Sequence, residues 1–327
     1  MSTDRIGTPP LVSISVTSYQ HAPFLAACLD GILMQECDFT YEVLLGEDGS
    51  TDGSREIAQR YAAAHPDRIR LFLHDRSNVI HIDGRPTGRY NLLNNLRHAR
   101  GRYLCHIDGD DHWTDPDRLR IMVELMEAEP DLGMAFHNAW NVWDDGRKVP
   151  YLDPARAKPR YTRGELTIEN FIPTSGAIWR WNALTDLPAA FHKAPFGDWM
   201  INIHFAGVGP IGFMDRIMSV RHVHGSGAMT AMGALRTYRG VALAYEVMRT
   251  QVQDDLAPEA LARWTKQITD GFDQAINSGD REHALWFLAH ARLVPKNAVP
   301  LRMRSRWWAL VHFPRTMALY KQLRSRA

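Results

Sequence analysis

The sequence predicts an α/β fold: a sheet flanked by helices, followed by an all-helical C-terminal extension. Three observations carry that expectation. Strand-like and helix-like patterns alternate four times between Leu11 and Asp111. Three of those strands stop at clusters of acids, hydroxyls and glycines. After about Gly233 the strand pattern gives way to helical periodicity alone.

Composition agrees with this class. The 327 residues suffice for one large domain or two medium ones, and a makeup of 45% hydrophobic and 23% charged residues is globular rather than disordered. With 38 Lys+Arg against 37 Asp+Glu, the net charge of +1 excludes a uniformly basic polyanion binder, and no nucleic-acid partner is expected. Three cysteines without a CxxC pair read as reduced thiols of a cytoplasmic protein. The start, MSTDRIGTPP, lacks a basic region followed by an apolar one, so no signal peptide is expected, and no apolar run is long enough to span a membrane.

In order along the chain, Leu11 to Val16 alternates apolar with small polar residues as a strand, and Pro23 opens a helix to about Gln35. Tyr41 to Leu45 is a strand that ends at GEDGSTDGS, whose turn formers also cap a helix from Arg55 to Ala64. Ile69 to Leu73 is a strand, Asn78 to Gly88 a loop, Arg89 to Ala99 a helix, and Tyr103 to Ile107 a strand running into Asp108-Gly109-Asp110-Asp111. A helix from Pro116 to Ala128 and a strand from Met134 to Val142 follow, then a loop between Lys148 and Arg163. Ser175 to Trp181 and Gly212 to Val220 read as strands around a helix near Asp198 to Ala206. Ala234 to Asp254, Pro258 to Asn277 and Asp280 to Leu293 read as helices. The domain reading is residues 1–232 and 233–327.

Ligands of open α/β sheets bind beyond the carboxyl ends of the strands. Thr17-Ser18-Tyr19, Glu47-Asp48-Gly49-Ser50 and Asp108 to Asp111 all fall there. Alternating carboxylates after a buried strand supply hard oxygen ligands for Mg²⁺ or Mn²⁺. An EF-hand is excluded: counting from Asp108, Trp113 replaces the required Gly and Leu119 the required Glu. Asp115 caps the helix near Pro116.

At this point the chain resembles the family 2, inverting glycosyltransferases of GT-A fold, a Rossmann-like mixed sheet. The resemblance rests on VSISVTSYQHAPFLAACLDGILMQ, EVLLGEDGSTDGS, GRYLCHIDGDDHWTDPDRL, FGDW and MSVRHVHGSG, in that order across about residues 10–230. It implies a nucleotide pocket of Thr17, Tyr19, Glu47, Asp48, Arg89, Asp108 and Gly109, with Asp48 on the base and Asp108 on the ribose or metal. Asp110 and His224 would ligate Mn²⁺ or Mg²⁺, and Asp198 would be the general base. The implied substrates are a nucleotide-sugar donor, UDP-linked by analogy, and a saccharide or lipid-linked acceptor. In such a displacement the metal stabilises the departing diphosphate while a carboxylate deprotonates the acceptor hydroxyl.

The chain departs from the family pattern at three places. Gly197 stands where Glu usually precedes the catalytic Asp, Arg221-His222 stand where Tyr-Arg is common, and Arg85 is an alternative to Arg89. Trp113 and Trp199 flank the implied site, either stacking on sugars or packing in the core. His204 and His222 read as structural. The rival classes are a catalytically silent nucleotide-sugar binding module and another nucleotide enzyme such as a dehydrogenase. The lack of GxGxxG after the first strand counts against the dehydrogenase.

Residues 302–327 carry seven basic residues, no acid, and interleaved Trp307, Trp308, Phe313 and Tyr320. Removing those seven leaves 31 basic against 37 acidic, or −6, for residues 1–301. Such a tail suits either peripheral contact with an anionic membrane face or docking on the fold.

Overall fold

A computed structural model describes residues 9–181, 191, 193–225, 232–251, 256–294 and 305. The chain divides into two compact units, Met1–Thr230 and Ala231–Ala327. The first is built from β1 (Val12–Ser18), α1 (Ala22–Leu33), β2 (Tyr41–Glu47), α2 (Ser54–Ala64), β3 (Ile69–Leu73), β4 (Ile80–Ile82), β5 (Arg85–Thr87), α3 (Arg89–His98) and β6 (Tyr103–Asp108). It continues through β7 (His112–Trp113), α4 (Arg118–Ala128), β8 (Met134–Trp143), β9 (Lys148–Pro150), β10 (Arg160–Tyr161), α5 (Arg163–Ile168), β11 (Ala177–Arg180), α6 (Gly197–Phe205) and β12 (Ile211–Val223).

The main sheet runs β10-β12-β8-β11-β6-β1-β2-β3, with β7 paired to β12 and β9 to β8. The β6-β1-β2-β3 half is parallel; β11 runs antiparallel to β6 and β8, making the sheet mixed. Its first strand shows why the sequence alternates. Val12, Ile14 and Val16 join Leu25, Leu29 and Ile32 of α1 in the apolar core. Ser13, Ser15 and Thr17 point the other way, yet all seven residues of β1 are buried. The small hydroxyls are hydrogen-bonded rather than solvated: Asn95 Nδ2 of α3 donates to Ser15 Oγ at 3.1 Å and to the Val16 carbonyl at 3.0 Å.

Two expected loops hold more structure. Asn78 to Gly88 contains the β4–β5 hairpin, which turns at Asp83-Gly84, both with positive φ (52° and 72°). Asp-Gly is the pair a tight two-residue hairpin turn selects. The Lys148–Arg163 segment contains β9 and β10, and α5 begins at its end. There Thr162 Oγ1 accepts from Glu165 N and Glu165 Oε2 accepts from Thr162 N, a reciprocal cap. The strand expected from Ser175 starts at Ala177, after a single 3₁₀ turn at Thr174–Gly176.

The second unit contains α7 (Ala234–Gln251), α8 (Pro258–Ser278) and α9 (Arg281–His290). Gly279, at φ 76°, ends α8, and the Asp280 carboxylate caps α9 through His283 N. Gly271 lets α8 and α9 approach: a Cβ there would lie 2.3 Å from the Phe287 ring. No helix among the described residues is long and apolar enough to cross a membrane. The basic segment 302–327 lies outside the described residues apart from Ser305.

Candidate active site

The parallel strands reverse order between β1 and β6. From β1 the chain adds β2 and β3 on one side, then returns to place β6 on the other. The carboxyl ends of β1 and β6 therefore mark the switch point, where the crevice of an open α/β sheet lies. Thr17 lies opposite Asp108 in register, and its hydroxyl donates to Asp108 Oδ1 at 2.8 Å. His106 Nε2 stands 3.5 Å from the same oxygen. Desolvation pushes the Asp108 carboxyl up, but hydrogen bonds from His106 and Thr17 and the nearby imidazoles outweigh it, holding its pKa at about 2. Asp108 is an ionised acceptor with 46% of its side chain exposed to the crevice.

On the β2 side, Tyr19 is 42% exposed and lies beneath the Arg76 guanidinium, 4.0 Å from its ring centroid. Arg76 also pairs with Asp48 Oδ2 at 3.0 Å. Asp48 is 2% exposed, and its Oδ1 is buried without a partner among the described residues. Burial raises its pKa despite the Arg76 charge. Glu47 is fully buried and braces this loop, accepting from Ser50 N at 2.6 Å and pairing with Arg55. The GSTDGS turn is also tied to the loop after β1. Gln20 Oε1 accepts from Thr51 N at 2.7 Å, Ser50 Oγ from Gln20 N and Asp52 Oδ2 from Ala22 N, both at 2.9 Å. Sequence reading missed Arg76, which the structure brings to Tyr19 and Asp48. It follows the end of β3 by three residues, where the strand-end rule applies as it does to β1, β2 and β6.

After β6, Gly109 N donates to the Thr17 carbonyl at 2.8 Å. A Cβ at Gly109 would come within 2.9 Å of His21 Nδ1 and 3.2 Å of that carbonyl, so the turn needs glycine. Asp110 Oδ2 then lies 3.1 Å from His224 Nε2 and 3.6 Å from His21 Nε2. Phe24 packs against the rings of both His222 and His224. Asp111 turns inward and accepts from His222 N at 3.1 Å; burial and the charges of Asp110 and Asp108 push its pKa well up. It ties the end of β12 to the acidic loop. His222 meets His112 at 3.2 Å. Among the described residues no three His, Cys, Asp or Glu side chains form a ready-made metal cage. A carboxylate and an imidazole nitrogen converging there, with His21 Nε2 3.6 Å from the same carboxylate oxygen, nonetheless fit a Mn²⁺ or Mg²⁺ that takes its remaining ligands from phosphate and water.

Asp198 sits in the first turn of α6. Its Oδ2 accepts from Asn170 Nδ2 at 2.8 Å and from the Thr174 hydroxyl at 3.3 Å. Burial raises its pKa, and the Asp108 charge adds to the rise; the Trp199 backbone N–H and Asn170 oppose it. Arg89, expected beside the nucleotide, instead spends its guanidinium inside the fold on the carbonyls of Phe191 and Ala194. Both tryptophans are core residues. Trp113 donates from Nε1 to the Ser175 carbonyl and Trp199 to the Leu166 carbonyl, each at 2.8 Å.

A mixed sheet of this order is the architecture of the GT-A fold class. The profile of Glycosyl transferase family 2 matches residues 13–183, more than half of the chain, which therefore belongs to that family. An uncharacterized protein of Mycobacterium tuberculosis is 31% identical over 217 residues, covering 65% of this chain and 60% of that protein. Chondroitin synthase of Escherichia coli is 24% identical over 218 residues, covering 66% of this chain and 29% of the synthase. Among solved structures, S. aureus TarS in complex with UDP-GlcNAc shares the fold with a TM-score of 0.62 at 14% identity. It covers 88% of this chain and 82% of that one. The mannosyltransferase PcManGT of Pyrobaculum calidifontis, in complex with GDP-Man and Mn²⁺, has a TM-score of 0.52 at 18% identity, over 97% and 85% of the two chains.

Proposed function

We propose that this glycosyltransferase moves a sugar from a nucleoside diphosphate, a UDP-sugar in particular, to a hydroxyl of a saccharide or lipid-linked acceptor, inverting the anomeric carbon. The observation that carries the reading is Asp198, a carboxylate whose Oδ2 is committed to Asn170 and Thr174 and whose pKa burial raises toward that of a working base. Its Oδ1 would take the acceptor proton as the acceptor oxygen bonds to the anomeric carbon. The bond from that carbon to the diphosphate oxygen breaks, and its electron pair leaves with the diphosphate. Tyr19, Arg76 and Asp48 would hold the base, the unspent Asp48 Oδ1 accepting an N–H from it. Asp108, ionised and exposed to the crevice, would accept from ribose hydroxyls. Asp110 and His224 would hold Mn²⁺ or Mg²⁺, which supplies charge neutralisation for the departing diphosphate.

In this reading residues 1–232 are the transferase domain, and residues 233–327 a helical region whose basic tail attaches the enzyme to the inner membrane face. TarS with UDP-GlcNAc and PcManGT with GDP-Man and Mn²⁺ share the fold and support a nucleotide-sugar donor. Incubation with a panel of UDP-, GDP- and dTDP-sugars in Mn²⁺, with released nucleotide measured by mass spectrometry, tests it. Selective release from one donor is expected; release from none would overturn the reading.

A further inference from the structure

Arg89 is 4% exposed and opens α3. Its guanidinium donates from one nitrogen to the Phe191 carbonyl and from the other to the Ala194 carbonyl at 2.9 Å, while stacking over the Phe191 ring at 3.9 Å. Among the described residues no carboxylate lies within ion-pair distance of it. A buried cation satisfied only by carbonyls is costly, and proteins keep such groups where they hold something in place. What it holds is the approach to α6. Phe196, immediately before Gly197-Asp198, adopts a left-handed backbone (φ 58°, ψ 69°) that a bulky side chain disfavours and that only its surroundings can maintain. Gly197 completes the fit: a Cβ there would stand 2.9 Å from Arg89 Nη2 and 3.1 Å from Cζ, so the guanidinium occupies the space beside residue 197. In this chain Gly197 replaces the acid that commonly precedes the catalytic Asp in the family it resembles. Burial lowers the Arg89 pKa to about 10 while the charge of Asp198 pulls it upward, which puts the two groups within electrostatic reach.

We infer that Arg89 is a positioning residue for the transfer: its grip on the Phe191 and Ala194 carbonyls, made possible by Gly197, fixes the strained turn at Phe196 that aims Asp198. The inference rests on Asp198 being the base, and it assigns Arg89 no contact with the nucleotide.

The test compares Arg89→Met, Arg89→Lys and Gly197→Ala with the unaltered chain in three measurements. With the donor selected by the screen, Arg89→Met should lower kcat about 100-fold with KM for the donor within about twofold, as expected for a misaimed base. Affinity for UDP with Mn²⁺ should stay within about twofold. Amide hydrogen exchange over residues 194–200 should speed up while β1 and β2 stay protected. Arg89→Lys and Gly197→Ala, milder changes that keep the charge, should move the same quantities in the same direction by less. An unchanged kcat, unchanged exchange over 194–200, or a tenfold loss of UDP affinity in Arg89→Met would overturn the inference. Failure of the base assignment reads differently: Asp198→Asn would then keep full turnover, whereas the exchange measurement still decides whether Arg89 holds the segment.

Discussion

At the amino ends of β1, β2 and β6, the Glu42 carboxylate is 4% exposed and both its oxygens are occupied. Oε1 accepts from Ser13 Oγ at 2.8 Å and Arg100 N at 2.9 Å, and Oε2 from Arg70 at 3.0 Å and Arg100 at 2.8 Å. At the carboxyl ends of the same strands, Asp48 is 2% exposed, yet one of its oxygens is buried without a partner among the described residues. Burial works against the charge in both. At Glu42 the Arg100, Ser13 and Arg70 hydrogen bonds win and the pKa falls; at Asp48 burial wins and it rises. Equal burial thus produces a satisfied structural acid at one end and an unspent acceptor at the other. The unspent acceptor is where a ligand gains affinity.

Changes at the carboxyl end should therefore damage chemistry and binding, and changes at the amino end stability. The largest effect is expected for Asp198→Asn, about a 10³-fold fall in turnover with UDP affinity retained, read by nucleotide release and calorimetry. Because burial raises the Asp198 pKa, kcat/KM of the unaltered enzyme should fall as pH drops through a value above that of an ordinary aspartate, and a pH–rate profile locates it. Asp110→Asn should next abolish the effect of Mn²⁺ on UDP affinity while leaving the melting temperature within a few degrees. Asp48→Asn should weaken UDP by about 10- to 100-fold, the worth of one charged hydrogen bond, without slowing bound-state turnover. If it lowered stability instead and left UDP unaffected, the contrast between the two ends would fail.

Glu42→Gln is the converse. It should cost about 2–3 kcal/mol of stability, less than a fully buried pair because Arg100 and Arg70 are partly exposed, with UDP affinity unchanged. The folded-state pKa of Glu42 is depressed, so its contribution is present above the unfolded value of about 4.3 and is lost as pH falls through the folded one. Denaturant midpoints at pH 7 and below pH 4 should differ more for the unaltered chain than for Glu42→Gln.

Much of this was legible in the sequence because it is local. The alternation of Val12, Ile14 and Val16 with Ser13 and Ser15, Pro23 near a helix start, and the turn formers after Glu47 and Asp108 each act within a few residues. Two missed elements were also local: Asp83-Gly84 is a hairpin turn, and Thr162 with Glu165 is a capping pair. Arg89 was different. Its partners lie 102 and 105 residues away, and nothing in its spacing distinguishes a cation facing a nucleotide from one gripping a distant loop. Asp198 and His224 came from resemblance to a family rather than from pattern, since a lone acid at a helix start is also an ordinary cap.

The most direct measurement is a calorimetric titration of UDP into the protein with and without Mn²⁺. The nucleotide-binding account predicts saturable binding that Mn²⁺ tightens at least about tenfold, or 1.4 kcal/mol. No metal-enhanced binding of UDP, GDP or dTDP would contradict it.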